Sequence, residues 1–245
     1  MGVDRTLAAA PLAMLIAISA MHGRHEVSRA WCEHTASLGF DKVIVAPTLG
    51  DHELSTMCLD HGIAVAAMPN EPLSEKFNTA LWFAMEWEPS TRIMILPSDD
   101  FVSREWVEAA RNSTEDYIIP HTCAILDAYS QACYKIAKLS LNPGGTMRFG
   151  AGRVVSRKVV EACEGQLWPS ELNKGLDSAS HARISRAGFT VKVVETEGIP
   201  ITDLKTEENL WPFRTWEHSG RPCTADEALH MVSPEVRARI DAMKR

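Results

Sequence analysis

Two adjacent carboxylates, Asp99 and Asp100, follow the apolar run Ile93 to Leu96 in the segment RIMILPSDD. A short unbroken apolar run bounded by breakers reads as a strand covered on both faces in a parallel sheet. Open α/β sheets bind ligands just outside the carboxyl ends of their strands. An acidic pair there is suited to holding a divalent cation against a phosphate. The same residues also have a local use, because Ser98 or Asp99 can cap a helix over FVSREWVEAAR. Spacing alone leaves both readings open.

Other chemistries are poorly served. No Walker loop and no GxGxxG follows a strand, which argues against a P-loop NTPase or a standard dinucleotide binder. No GxSxG appears, so a hydrolase elbow is not indicated. The nine histidines form neither HExxH nor HxxxH. His22 and His25 flank Gly23-Arg24 and could touch a ligand, but they are not read as metal sites.

The elements that must position the acidic pair alternate along the first half. Residues 11–20 read as a strand. Residues 26–38 carry apolar or small side chains at helical spacing and are stopped by Gly39. Residues 41–46 form a second strand closed by Pro47, residues 51–61 a short helix, and residues 63–68 a third strand. The loop PNEPLSEKFN leads into a helix over residues 75–87, and the RIMIL strand follows. Such alternation predicts an α/β fold with a mostly parallel central sheet flanked by helices.

The pattern then changes. Residues 117–120 and 122–126 are short apolar stretches, and residues 130–139 read as a helix. NPGG at 142–145 reads as a turn. Residues 148–155 run as a strand into a helix at Ser156. A helix over 176–187 and a strand over 189–194 follow. The tail ITDLKTEENLWPFRTWEHSGRP reads as a loop anchored by three aromatics, and Ser233-Pro234-Glu235 starts a last helix. The chain is expected to be one domain, 1–245. Residues 11–111 are expected to form a nucleotide-binding half, 112–200 an acceptor half, and 201–245 a lid and helix.

A net charge of −7 argues against coating nucleic acid by charge alone. A local basic edge from Arg148, Arg153, Arg157 and Lys158 is compatible with it. Six scattered cysteines without a CxxC pair suggest reduced thiols and a cytoplasmic setting. MGVDRT fits a myristoylation pattern too short to weigh, and residues 7–21 serve better as a first core strand than as a signal peptide. No membrane span is expected.

The order of the motifs carries a resemblance. MHGRHEV after the first strand, VIVAPTLGD, PLSEKFNTAL and the strand ending in SDD resemble glycosyltransferases of the GT-A fold, close to the family 2 group. RFGAGRVVSRKVVE and GLDSASHARISRAGF in the second half are similar to later motifs of the same family, and the resemblance covers residues 12–194. It implies that Asp100 binds Mn²⁺ or Mg²⁺ on a donor diphosphate, with Asp99 at the ribose or beside the metal. Ser98 departs from the fully acidic motif, implying fewer protein ligands. Lys76 and Asn78 match a K-x-N segment beside the nucleotide and sugar, although Lys76 also reads as a solvated lysine. Arg24 is implied at the base or diphosphate, and Asp51 either contacts the base or caps its helix.

Asp177 is the implied catalytic base, with Leu176 where the family often carries a second acid; a capping role is the plain alternative. Asp203 and Lys205 fall where such enzymes carry a C-terminal lid. The implied activity is transfer of a sugar, with inversion favoured, from a nucleotide-diphosphate donor, UDP-sugar favoured, to a hydroxyl. A hydroxymethylated pyrimidine in DNA, as in phage-type DNA-modifying enzymes, is one acceptor considered. The rival readings are a sugar-nucleotide nucleotidyltransferase, for which MHGRHEV is a poor match, and a non-catalytic nucleotide-binding protein.

Overall fold

The structure, a computed structural model, describes residues 13–89, 91–137, 150–209, 213–216 and 220–244. The chain begins β1 (Leu15–Met21), α1 (His25–Ala36), β2 (Lys42–Pro47), α2 (His52–Asp60), β3 (Ala64–Val65), α3 (Leu73–Met85) and β4 (Arg92–Ile95). It continues with β5 (Asp100–Val102), α4 (Arg104–Asn112), β6 (Tyr117–Pro120), β7 (Thr122–Asp127), β8 (Cys133–Ala137), β9 (Val154–Ser156) and α5 (Arg157–Ala162). Then come α6 (Leu176–Arg186), β10 (Lys192–Val194), β11 (Ile201–Lys205), β12 (Arg221–Cys223), α7 (Ala225–Ala228) and α8 (Pro234–Asp241).

Seven strands make the main sheet in the order β10-β6-β9-β4-β1-β2-β3. β1 is buried along its whole length because it pairs in parallel with both β2 and β4 and α3 packs on it. This is why LIAISAM and RIMI lack the alternation of a half-exposed strand. The sheet is mixed, since β9 runs antiparallel to both β4 and β6. α1 buries Val27, Ala30, Trp31 and His34, an i, i+3, i+4, i+7 stripe. His34 Nε2 donates to the Val102 carbonyl at 2.8 Å and so ties α1 to β5.

A second sheet of five strands, β12-β8-β7-β11-β5, was not foreseen. Three expectations are corrected by it. The described part of the expected 130–139 helix, residues 130–137, is not helical: the Asp127 carboxylate accepts from the Tyr129 and Ser130 amides at 2.8 and 2.9 Å, closing a turn that sends β8 back along β7. FVS does not open a helix, because Phe101 and Val102 belong to β5. Ser103, rather than Ser98 or Asp99, caps α4 by accepting from the Trp106 amide at 3.1 Å. The segment ITDLK is not a loop but the buried strand β11, parallel to β7 and antiparallel to β5.

The expectation of reduced thiols is also corrected, since Cys133 and Cys223 form a disulfide across the β8–β12 pair. The other four cysteines are free and buried. The third strand is shorter than expected, with Thr48 and Met68 bridging beyond it. Ser233 caps α8 as read, accepting from the Val236 amide. NPGG, Arg148 and the start of the first strand lie outside the described residues. No helix among the described residues is long and apolar enough to cross a membrane.

Candidate active site

The end of β4 turns sharply, with the Asp100 amide donating to the Pro97 carbonyl at 3.0 Å before the chain enters β5. The turn brings Ser98, Asp99 and Asp100 against two other parts of the chain. The first is the loop after β1. Arg24 has φ +48°, a left-handed backbone that costs an L residue about 1–2 kcal/mol. In that conformation its guanidinium reaches Asp99 Oδ2 at 2.9 Å and Ser98 Oγ at 3.2 Å. Strain held at such a position is characteristic of functional sites.

The second part is β11. Asp203 is the register partner of Asp100 in the antiparallel β5–β11 ladder, and the Leu204 amide donates to the Asp99 carbonyl at 2.8 Å. Oxygens of Asp99, Asp100 and Asp203 lie within 4.8 Å of one another. Lys205 Nζ pairs with Asp203 Oδ2 at 2.6 Å. Asn209 donates to Asp99 Oδ2, its own carbonyl oxygen held by the Thr206 amide at 2.6 Å.

Burial dominates the electrostatics. It drives the Asp100 carboxyl well above the ordinary range, and the neighbouring Asp203 and Asp99 charges add to the effect. Burial also lifts Asp203, to about 6, although Lys205 pulls it down. Asp99 goes the other way: burial pushes it up, but Arg24 and Lys205 outweigh burial and hold it below the usual carboxylate range. Asp100 Oδ1 and Asp203 Oδ1 are buried without a hydrogen-bond partner among the described residues. Leaving such oxygens unsatisfied is costly. An all-carboxylate donor set with unsatisfied oxygens fits a hard divalent cation, which also keeps waters and phosphate oxygens as ligands.

These groups line a cleft of about 540 Å³ that also takes in Arg24, Lys76 and Asp177. Lys76 is not the solvated lysine of the plain alternative. It is fully buried, and its ammonium donates to the Met21 carbonyl at the end of β1 and to Thr48 Oγ1 just past β2. Burial lowers its pKa to about 8. Asn78 does not line the cleft. Its amide bonds the Trp168 backbone at both ends, at 2.9 Å to the carbonyl and 3.4 Å from the N–H, and so fastens α3 to the chain before α6.

Asp177 stands in the first turn of α6, its side chain 45% exposed, and the helix N-cap is Gly175, with no side-chain capping bond. Its charge is felt at Asp100. Asp51 caps α2 through the Leu54 amide at 3.1 Å and takes a bond from His25, while His22 meets Thr48. Of the expected basic edge, Arg153 is buried against Asp177, Arg157 is spent on the Met85 and Trp87 carbonyls and Glu161, and Lys158 pairs with Asp116. These three do not form an open phosphate-binding stripe, and Arg148 lies outside the described residues.

The resemblance implies a lid for Asp203 and Lys205, and nothing in the sequence marks Arg153 or Asn209 as site residues. The polar alternation of ITDLK was the available signal for β11. A strand buried on both sides is ordinarily apolar, so a polar tail with three aromatics reads as a loop.

No protein-family model and no curated protein matches the chain. Among solved structures, it is similar to S. aureus TarS 1-349, with a TM-score of 0.55, 11% identity, and coverage of 78% of this chain and 60% of that one. It matches the same protein in complex with UDP-GlcNAc with a TM-score of 0.55 and 12% identity, over 80% and 59% of the two chains. The inositol-1-phosphate CTP transferase from T. maritima superposes with a TM-score of 0.48 and 14% identity, over 90% and 98%. The chain thus spans about 60% of the TarS structure it matches. Its α/β fold is of the GT-A-like kind, shared with TarS.

Proposed function

We propose that the chain is a metal-dependent glycosyltransferase that moves a sugar from a nucleotide-diphosphate donor to an acceptor hydroxyl. The observation that carries this reading is the pair of buried carboxylate oxygens on Asp100 and Asp203 that have no partner among the described residues, in a cleft that also holds Asp177. Asp100 and Asp203 would hold Mn²⁺ or Mg²⁺, with Asp99 beside them. Bound there, the ion supplies positive charge that stabilises the departing nucleoside diphosphate. Asp99, fixed by Arg24 and Asn209, faces the nucleotide. Arg24 and Lys76 offset phosphate charge, and Asp177 takes the proton of the attacking hydroxyl.

UDP-GlcNAc is the first donor to try, because TarS, which shares the fold, has been solved with it. Release of UDP from UDP-GlcNAc with Mn²⁺, measured with saccharide and with hydroxymethylated DNA as acceptors, tests the reading. Metal-dependent release is expected. No release from any UDP-sugar, with or without acceptor, counts against it. A nucleotidyltransferase would use the same carboxylate cluster, but would release pyrophosphate from a nucleoside triphosphate and a sugar phosphate.

A further inference from the structure

Arg153 is a cation with 1% exposure, far more buried than the half-exposed carboxylate it meets. Its Nη1 donates to the Asp177 backbone carbonyl at 3.3 Å, and its Nη2 lies 3.4 Å from Asp177 Oδ1. One guanidinium therefore holds both the main chain and the side chain of the same residue. The planar fork of arginine can do this, whereas the single ammonium of lysine cannot span two acceptors in a fixed plane. The guanidinium lies over the buried Trp168 ring, 5.6 Å from its centroid. The Arg153 backbone is set by β4, since its carbonyl accepts from the Ile95 amide at 2.9 Å and the Gly152 amide donates to the Ile95 carbonyl at 2.8 Å. β4 is the strand that leads into Asp99 and Asp100.

Gly150 completes the arrangement from the other side. A Cβ built at this position would lie 2.1 Å from Asp177 Oδ1 and 2.5 Å from its Cγ. The carboxylate thus occupies the space that any side chain at residue 150 would need. Arg153 pulls on the carboxylate while the bare backbone of Gly150 admits it.

We infer that Arg153 is the positioning residue for Asp177, with Gly150 providing the gap, so that the turn 150–153 couples the carboxylate to the strand carrying the acidic cluster. This rests on the reading of Asp177 as the base, and it makes Arg153 a positioning residue, not a catalytic one. An ångström of misplacement at a reacting group costs about 10²-fold in rate.

Arg153→Lys and Gly150→Ala are compared with wild type in three measurements: affinity for UDP with Mn²⁺, the rate of UDP release from UDP-GlcNAc, and the crystal structure of each variant. Gly150→Ala is the independent arm, because it leaves the buried cation in place and displaces only the far end of a half-exposed side chain. The expected result is UDP affinity within about twofold of wild type, release slowed by about 10²-fold in both variants, and a displaced Asp177 carboxylate in both structures. A merely structural role for Arg153 would lower affinity and rate together and leave Gly150→Ala active. An unmoved Asp177 carboxylate in either variant overturns the inference, as does a displaced one with wild-type release. Failure of the wild-type protein to release UDP counts instead against the glycosyltransferase reading, and the two crystal structures still decide whether Arg153 and Gly150 fix Asp177.

Discussion

Asp203 lies directly across from Asp100 in the antiparallel β5–β11 ladder, so two buried carboxylates share one rung. Like charges so placed are tolerated when one is protonated, when a cation such as Lys205 compensates, or when a metal ion binds between them. Lys205 pairs with Asp203, which leaves Asp100 as the carboxylate most in need of a cation.

Metal loading is therefore the first prediction. Mn²⁺ or Mg²⁺ should raise the thermal midpoint of the wild-type protein at pH 7.5, by several degrees when the ion is present at about 100 times its Kd. Asp100→Asn should abolish that rise, measured by differential scanning fluorimetry. An unchanged metal response in the variant removes Asp100 from the site.

Asp177→Asn should leave UDP affinity with Mn²⁺ unchanged and slow transfer by roughly 10²–10⁴-fold, the usual contribution of a general base. Isothermal titration and UDP-release assays on the same preparation make the comparison. Wild-type turnover would move the base elsewhere.

The pH dependence of stability should carry a histidine component. Burial lowers His34 to about 4 from its ordinary 6.5, with the nearby Arg104 charge working in the same direction against its bond to Val102. An unfolded chain binds this proton at higher pH than the folded one, so the stability is fully present above about 6.5 and is lost as pH falls through 4. A shift of this size corresponds to about 3 kcal/mol. Asp203 in the metal-free protein acts with the opposite sign, losing stability as pH rises through about 6. The difference between wild type and His34→Gln in urea melts from pH 7.5 to 4 isolates the histidine part. Parallel curves would show that His34 does not titrate as assigned.

Thiol counting checks the covalent structure. Under denaturing conditions, Ellman titration should find the four free cysteines before reduction and all six after it. Six thiols before reduction would remove the Cys133–Cys223 bond and restore the sequence expectation.

The acidic half of the site was legible because its signals are local. An apolar run ending in Pro97-Ser98-Asp99-Asp100 marks a buried strand end, and Gly39 and Gly62 lie just past α1 and α2 as the sequence suggests. Arg24 follows β1 in a sequence that already showed the strand stopping. What failed was local too. The expected helix over 130–139 has no clear period, and the Asp127 turn that leads into the strand Cys133–Ala137 acts through side-chain bonds that propensity does not weigh. Lys76 read equally well as solvated or buried, because the carbonyl and hydroxyl that receive its ammonium come from β1 and from the residue after β2.

The sequence by itself determined the α/β alternation, the acidic turn after β4 and the helix over Asp177. Each follows from neighbours within a few residues, through periodicity, breakers and caps. Only the tertiary structure decided that Asp203 meets Asp100, that Arg153 turns inward to Asp177, and that Asn78 serves Trp168 instead of the cleft. Those contacts join segments far apart in the chain. Their energies depend on which strands become neighbours, and strand order is fixed by burial of the whole sheet, which no local pattern encodes.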